Sequence, residues 1–323
     1  MRAPEAPILL VGGPTASGKS ALAVAIAEEF RGTVINADSM QIYRDLSVLT
    51  ARPGVAEEAR APHRLYGVLD ASEVCSAARW RALAETEIET AQAGGRLPVM
   101  TGGTGLYFKA LLEGLAPVPE IPAELRQAAR ALYRELGAEG FHARLAERDP
   151  GAAERLPPSD RQRMIRAYEV VAATGRPLVE WQRGSSAPLR HAAALVLLLP
   201  PRQALYAAID RRVEAMAEKG ALEEVRRLLG RGLPPENPAL KAVGVPEFSR
   251  HLRGEIPLAE AVAAAQQATR RYAKRQMTWL RHQLPPPESL ASLRLNAQFS
   301  ESLLPEIFSF IRRFLLTHPR EAV

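Results

Sequence analysis

The sequence is poor in cysteine, in aromatic side chains and in long apolar runs, and each shortage removes a class of protein. A single cysteine, Cys75, among 323 residues excludes an internal disulfide and any multi-cysteine metal site, and suits a reducing compartment. Cys75 itself reads as a small buried hydrophobe. Nowhere do about eighteen apolar residues follow one another without a charge, so no membrane-spanning helix is expected. The opening stretch, MRAPEAPILLVGGP, has one arginine and an apolar run that passes straight into a glycine loop, without a cleavable signal pattern. A cytoplasmic protein is therefore expected. Internal repeats and low-complexity tracts are also lacking. What remains is 47% hydrophobic, enough for one large core or two smaller ones, and carries a net charge of +6. That charge is compatible with a polyanionic partner without demanding one.

Periodicity places the elements. Residues 8–11 form a short apolar run between Pro7 and Gly12, and residues 20–30 repeat apolar side chains at helical spacing. Residues 33–37 read as a second strand ending at Asp38, 77–93 as a crossover helix, 97–101 as a third strand and 106–112 as the helix after it. Such alternation predicts an α/β fold, a parallel sheet with helices on both faces. After Gly114 the texture changes to a proline-rich entry and then a charged, helical stretch poor in strand signals. We expect an inserted all-helical domain at 119–187 within a core formed by 1–118 and 188–323. The sheet resumes at 193–199, followed by long helices over about 203–229 and 258–284 and an amphipathic tail over 300–316.

Between the first strand and first helix stand Gly13, Pro14, Thr15, Ala16, Ser17, Gly18, Lys19 and Ser20, which satisfy the P-loop pattern in its required context. The glycines let successive backbone N–H groups turn toward one anion, and the following helix adds its positive end. Lys19 supplies a point charge for terminal phosphates, and the Ser20 hydroxyl can hold Mg²⁺. Asp38, at the end of the second strand, could order a metal-bound water, take a proton from a nucleophile, or cap the next turn. At the third strand's end, TGGTGLY brings two adjacent glycines and Thr104 to the same edge, either close to a ligand or as a plain strand-to-helix turn.

The blocks GPTASGKS, ADSMQIYR, APHR, GGTGLYFKALLEGL, DRQRMIRAYEV, IDRRVEAM and KRQMTWLR, in that order from about residue 8 to 284, closely resemble the tRNA dimethylallyltransferases. The resemblance implies a P-loop NTPase-like core and transfer of a dimethylallyl group from its diphosphate to the N6 amine of the adenosine beside the anticodon. It implies that Arg126 and Arg212 lie near the diphosphate and that Asp38 is the general base, with Thr104 beside it. By the same resemblance Asp38, Ser39, Met40, Gln41, Thr104, Arg126, Gln162, Arg163, Met164, Ile165, Arg166, Lys241, Lys274, Arg275 and Arg281 meet the tRNA, and the helical insertion clasps the anticodon stem-loop. From the residues alone, either arginine could instead be a solvated helix charge, Gln162, Arg163 and Arg166 read as an ordinary charged surface, and Trp279 could simply be core. Mg²⁺ is the expected cofactor, and a monomer without an obligate protein partner the expected state.

Two segments depart from the family's pattern. Residues 45–53 read DLSVLTARP where a glycine-rich G-M-D-I-G-T-A-K-P is usual, and 241–246 read KAVGVP where a tyrosine and then a basic residue tend to follow the glycine. No cysteine and histidine cluster follows Leu284, which favours the bacterial form. An adenylate isopentenyltransferase acting on a free nucleotide, a small-molecule P-loop kinase and a non-catalytic RNA-binding module are the competing readings. The helical insertion and the basic KRQMTWLR helix argue against the first, and the intact Lys19, Ser20 and Asp38 against the last.

Overall fold

The computed structural model describes residues 6–183, 191–285 and 289–318. Its contacts divide the chain into two compact units, residues 1–112 with 189–323, and residues 113–188. The edge expected between 187 and 188 lies outside the described residues.

The first unit begins with β1 (Pro7–Gly12), α1 (Lys19–Glu29), β2 (Gly32–Asn36), α2 (Val55–Arg60), β3 (His63–Arg64), α3 (Ala77–Ala93), β4 (Leu97–Gly102) and α4 (Gly105–Glu113). The second contains α5 (Ala123–Arg148), α6 (Pro150–Arg155), α7 (Arg161–Thr174) and α8 (Leu178–Gln182). The chain then returns to the first unit through β5 (Ala192–Leu198), α9 (Arg202–Glu218), α10 (Ala221–Gly230), α11 (Val245–Leu252), α12 (Leu258–His282), β6 (Ala291–Leu295) and α13 (Leu304–Thr317).

The strands pair in parallel in the order β3-β2-β4-β1-β5-β6. Because side chains alternate across a strand, β1 feeds both faces. Ile8 and Leu10 join a core built with α3, α4 and α9 to α12, while Leu9 and Val11 join one built with α1 and α13. Burial on both faces explains why β1 reads as an unbroken apolar run. The fold is the expected parallel α/β sheet with helices on both sides.

The structure corrects some of the expected elements. The helix expected over 203–229 is two, because Gly220 at φ 100° turns the chain between α9 and α10. The edge strands β3 and β6 went unread. One is only two residues long, and the other is mostly half-exposed and carries an arginine.

The strand order creates the site. Neighbours β2, β4 and β1 all end at the same edge, so the turns after them carry Asp38, Thr104 and the phosphate loop side by side. In the second unit, Phe141, Leu145, Ala129, Ala152, Met164 and Ala167 form a separate small core. Among the described residues no helix is long and apolar enough to cross a membrane.

Candidate active site

The phosphate loop closes on itself through a Ser17 N–H bond to the Pro14 carbonyl at 3.2 Å. Gly18 precedes α1 at φ 87°, a left-handed conformation that strains any side chain bearing a Cβ. No side chain caps α1, so its first turn presents backbone N–H groups and the positive helix end to an anion. The loop is held from outside. Gln298 Nε2 donates to the Ala16 carbonyl at 3.0 Å, Phe299 N to the Ser17 carbonyl at 3.0 Å, and Thr15 N to Gln276 Oε1 at 2.9 Å.

Asp38 is fixed by the turn that carries it. Asn36 Oδ1 accepts the Asp38 N–H at 2.8 Å, and Asn36 Nδ2 donates to the carbonyls of Asp38 and Leu65, both at 3.0 Å. Fully buried Trp80 donates its indole N–H to the Asn36 carbonyl at 2.9 Å and stacks on Tyr107 with centroids 4.2 Å apart. One carboxylate oxygen of Asp38 accepts the Met40 N–H at 2.9 Å. On the neighbouring strand end, Thr104 Oγ1 accepts the Ser39 N–H at 3.0 Å and lies 3.3 Å from Ser39 Oγ. Asp38 therefore does cap its own turn, as one reading had it, and is half-buried with its second oxygen open to further use.

Lys19, Asp38 and Arg212 share one electrostatic field. Burial lowers the Lys19 ammonium to about 8, with Arg212 pushing the same way and Asp38 opposing both. Burial likewise lowers Arg212, again against Asp38. Tyr66 and Tyr272 are raised, first by burial and then by the negative charge of Asp38. Two cations, a carboxylate and two phenols, each half-buried, thus act on one another at the strand ends. The Lys19 ammonium rests on the Pro14 carbonyl at 3.3 Å.

The segment 45–53 is firmly built despite lacking the usual glycines. Buried Glu224 accepts the N–H groups of Ser47 and Val48 at 2.7 and 2.8 Å, that of Leu49 at 2.9 Å and the Ser47 hydroxyl at 2.9 Å. Gln41 Nε2 and Arg212 Nη2 both donate to the Thr50 carbonyl, at 2.9 and 3.0 Å. Asp45 accepts from Arg231 and from the Ala71 N–H. Glu224→Ala would leave three backbone donors without their acceptor, and we expect a loss of about 2–4 kcal/mol in chemical denaturation, with Glu224→Gln costing less. Arg212, steadied on this segment through the Thr50 carbonyl, should then lose part of its anchorage.

The other expected contacts fall into three groups. On the first unit, Lys274, Arg275 and Arg281 are exposed on α12, and Lys241 is exposed in the short 3-10 turn Ala239–Lys241. Gln41 is buried, and its amide shapes the loop, which is a different task from touching an RNA base. On the second unit, Arg126 is half-buried in the first turn of α5, and Gln162 and Arg163 are exposed on α7 with Arg166 half-buried beside Glu169. Met164 and Ile165 are corrections. Both turn into the helical core, Met164 with no exposure, because α7 is amphipathic and only part of its surface faces out. Ser20 and Asp38 are both half-buried, and among the described residues no group of three His, Cys, Asp or Glu side chains could hold a metal ion. Sequence reasoning missed Asn36, Tyr66, Trp80, Glu224, Tyr272 and Gln276. An asparagine two residues before a strand-end aspartate was a usable signal, since such side chains bond nearby backbone.

Comparison with known proteins agrees with this architecture. The family model described as IPP transferase matches residues 41–283. Curated relatives called tRNA dimethylallyltransferase include one from Rhodospirillum rubrum, 57% identical over 97% of this chain and 96% of its own length. Another from Paramagnetospirillum magneticum is 52% identical over 99% and 100%. Among solved structures, a full-length tRNA isopentenylpyrophosphate transferase from Bacillus halodurans is similar at TM-score 0.69, with 32% identity over 97% of this chain and 98% of that one. A eukaryotic dimethylallyltransferase captured acting on tRNA reaches TM-score 0.83 at 25% identity, over 98% and 81%. A parallel α/β sheet whose strand-end edge carries the G-x-x-x-x-G-K-S loop together with Asp38 defines a P-loop-like fold. The chain belongs to the IPP transferase family.

Proposed function

We propose that this protein transfers a dimethylallyl group from dimethylallyl diphosphate to the N6 amine of the adenosine 3′ of the anticodon in tRNA, releasing diphosphate. The observation that carries the reading is the shared field of Lys19, Arg212 and Asp38: cations suited to a leaving diphosphate beside a carboxylate suited to an amine proton. In the reaction, the carbon–oxygen bond to diphosphate breaks, a bond from N6 to that carbon forms, and the amine proton passes to Asp38. The loop N–H groups, Lys19 and Arg212 take up charge as it grows on the leaving oxygen. Mg²⁺ would be held by the Ser20 hydroxyl, with Asp38 through water, and would supply further charge neutralisation to the phosphates. Two protein oxygens beside a phosphate cradle suit an ion that keeps most of its own water. Thr104 and Ser39 set the turn on which the acceptor rests.

Arg126 and Gln162, Arg163 and Arg166 of the helical unit, with Lys241, Lys274, Arg275 and Arg281 of the core, would hold the anticodon stem-loop mainly through phosphates. The adenosine must leave its stack to reach Asp38. A cytoplasmic monomer fits such work. The test is incubation with dimethylallyl diphosphate and either unmodified tRNA or free AMP, followed by mass spectrometry of the nucleosides. Prenylated adenosine in tRNA and none from AMP is the expected result. The reverse pattern would assign the adenylate reaction instead.

The lowered Lys19 gives a pH signature. In the free enzyme the ammonium loses its proton near pH 8, and a bound diphosphate must raise it again. Dimethylallyl diphosphate should therefore bind with proton uptake above about pH 8 and with little below pH 7, where Lys19 is already charged. Calorimetry in buffers of different ionisation heat measures this directly. In Lys19→Met the uptake should vanish.

A further inference from the structure

Helix α12 places Tyr272, Gln276 and Trp279 on one face at spacings of four and three residues. That face lies across the turn after β4. The tryptophan ring is so close to Gly105 that a Cβ there would stand 1.8 Å from Trp279 Cε3. The Tyr272 phenol lies in the same neighbourhood, pushed up first by burial and then by the charge of Asp38. Gln276, only 5% exposed, uses both ends of its amide. Its oxygen accepts the Thr15 N–H of the phosphate loop, and its nitrogen donates to the Gly103 carbonyl at 3.0 Å. A buried amide is costly unless fully bonded, and the rest of this helix's buried face is Ala261, Ala265, Ala273, Met277 and Leu280. A leucine or methionine would fill the space equally well, so packing alone does not explain a glutamine at this position.

We propose that Gln276 is a positioning residue for prenyl transfer, setting the separation between the diphosphate cradle and the turn that supports Asp38. One amide joins the loop that holds the leaving group to the turn whose Thr104 fixes Ser39, the neighbour of the general base. Transfer between two separately held reactants is sensitive to such registration, and a misplacement of about 1 Å costs about a hundredfold in rate. The inference rests on the reaction given above.

The experiment compares wild type, Gln276→Leu and Gln276→Glu with unmodified tRNA and dimethylallyl diphosphate. Binding-competent sites are counted by equilibrium titration with dimethylallyl diphosphate. We expect Gln276→Leu to lower kcat per competent site about fiftyfold, with the KM for tRNA changed by less than about threefold. Gln276→Glu keeps an acceptor for Thr15 and sets an oxygen against the Gly103 carbonyl. Its kcat should fall at least about tenfold, which keeps the test decisive should the leucine variant not fold. A merely structural role would reduce the number of competent sites and leave kcat per site intact. That outcome, or a kcat within about threefold of wild type in the folded variants, would overturn the proposal. Wild-type enzyme that prenylates no tRNA would bring down the functional reading itself, and the inference with it.

Discussion

Lys19→Met is expected to lower the rate of prenyl transfer about a thousandfold, with the fold and tRNA affinity close to wild type. The side chain fills similar length but removes the charge aimed at the leaving diphosphate. Desolvation, which lowers this ammonium to about 8 in the free enzyme, also means that little water screens it. A cation held in such surroundings acts more strongly on a developing anion than the same cation at a surface. Stability should change little, since the desolvation cost of this charge is removed together with its attraction to Asp38. The ammonium's one bond, to the Pro14 carbonyl, lies within a loop that is independently tied by Gln276, Gln298 and Phe299. Single-turnover kinetics with saturating tRNA provide the measurement. A rate within about tenfold of wild type would remove Lys19 from the chemistry and with it the assignment of this loop to the diphosphate.

The parts of the molecule legible in the sequence were those governed by local rules. The P-loop was readable because its backbone needs glycine at Gly18 and a helix immediately after, and β1 because burial on both faces demands an unbroken apolar run. Asp38 was readable by place, at a strand's carboxyl end. What escaped depends on partners far away in the chain. Glu224 is one charge among several on a helical surface until folding sets it against the N–H groups of residues 47–49, some 175 positions earlier. Gln276 is hidden among the basic residues of KRQMTWLR and meets Thr15 across 261 positions. Met164 and Ile165 show the opposite case, since they stand in a block that resembles RNA-contacting segments, yet helical geometry turns both of them inward.

The two departures from the family's pattern meet in space. A Cβ on Gly244 would lie 2.7 Å from Leu49 Cδ2, so Leu49, standing where a glycine is usual, leans on the glycine of KAVGVP. Val245, where a tyrosine is usual, is buried next to it in sequence. Asp45, at the other replaced glycine, has become an anchor for Arg231 and Ala71. The altered segment is thus anchored at both departures and presents the Thr50 carbonyl to Gln41 and Arg212.

Asp38→Asn should reduce turnover by at least about a hundredfold while tRNA still binds. Asparagine keeps an oxygen that can accept the Met40 N–H, so the turn after β2 should hold its shape, and Asn36 and Thr104 continue to fix the backbone on either side. Only the charge and the capacity to take a proton are lost. Asp38→Ala removes the turn bond as well and should be no more active. The charge has a second effect that separates this role from a merely structural one. Asp38 raises Lys19 against the pull of burial, so without it the ammonium gives up its proton at a lower pH than in the wild type. Diphosphate affinity in Asp38→Asn should then start to fall at a lower pH as the solution is made more alkaline, although binding at pH 6 stays intact because Lys19 remains charged there. A structural lesion would weaken binding at every pH alike. Near-normal turnover in the asparagine variant would mean that Asp38 does not take the amine proton, and a binding profile unmoved along the pH axis that it does not act on Lys19.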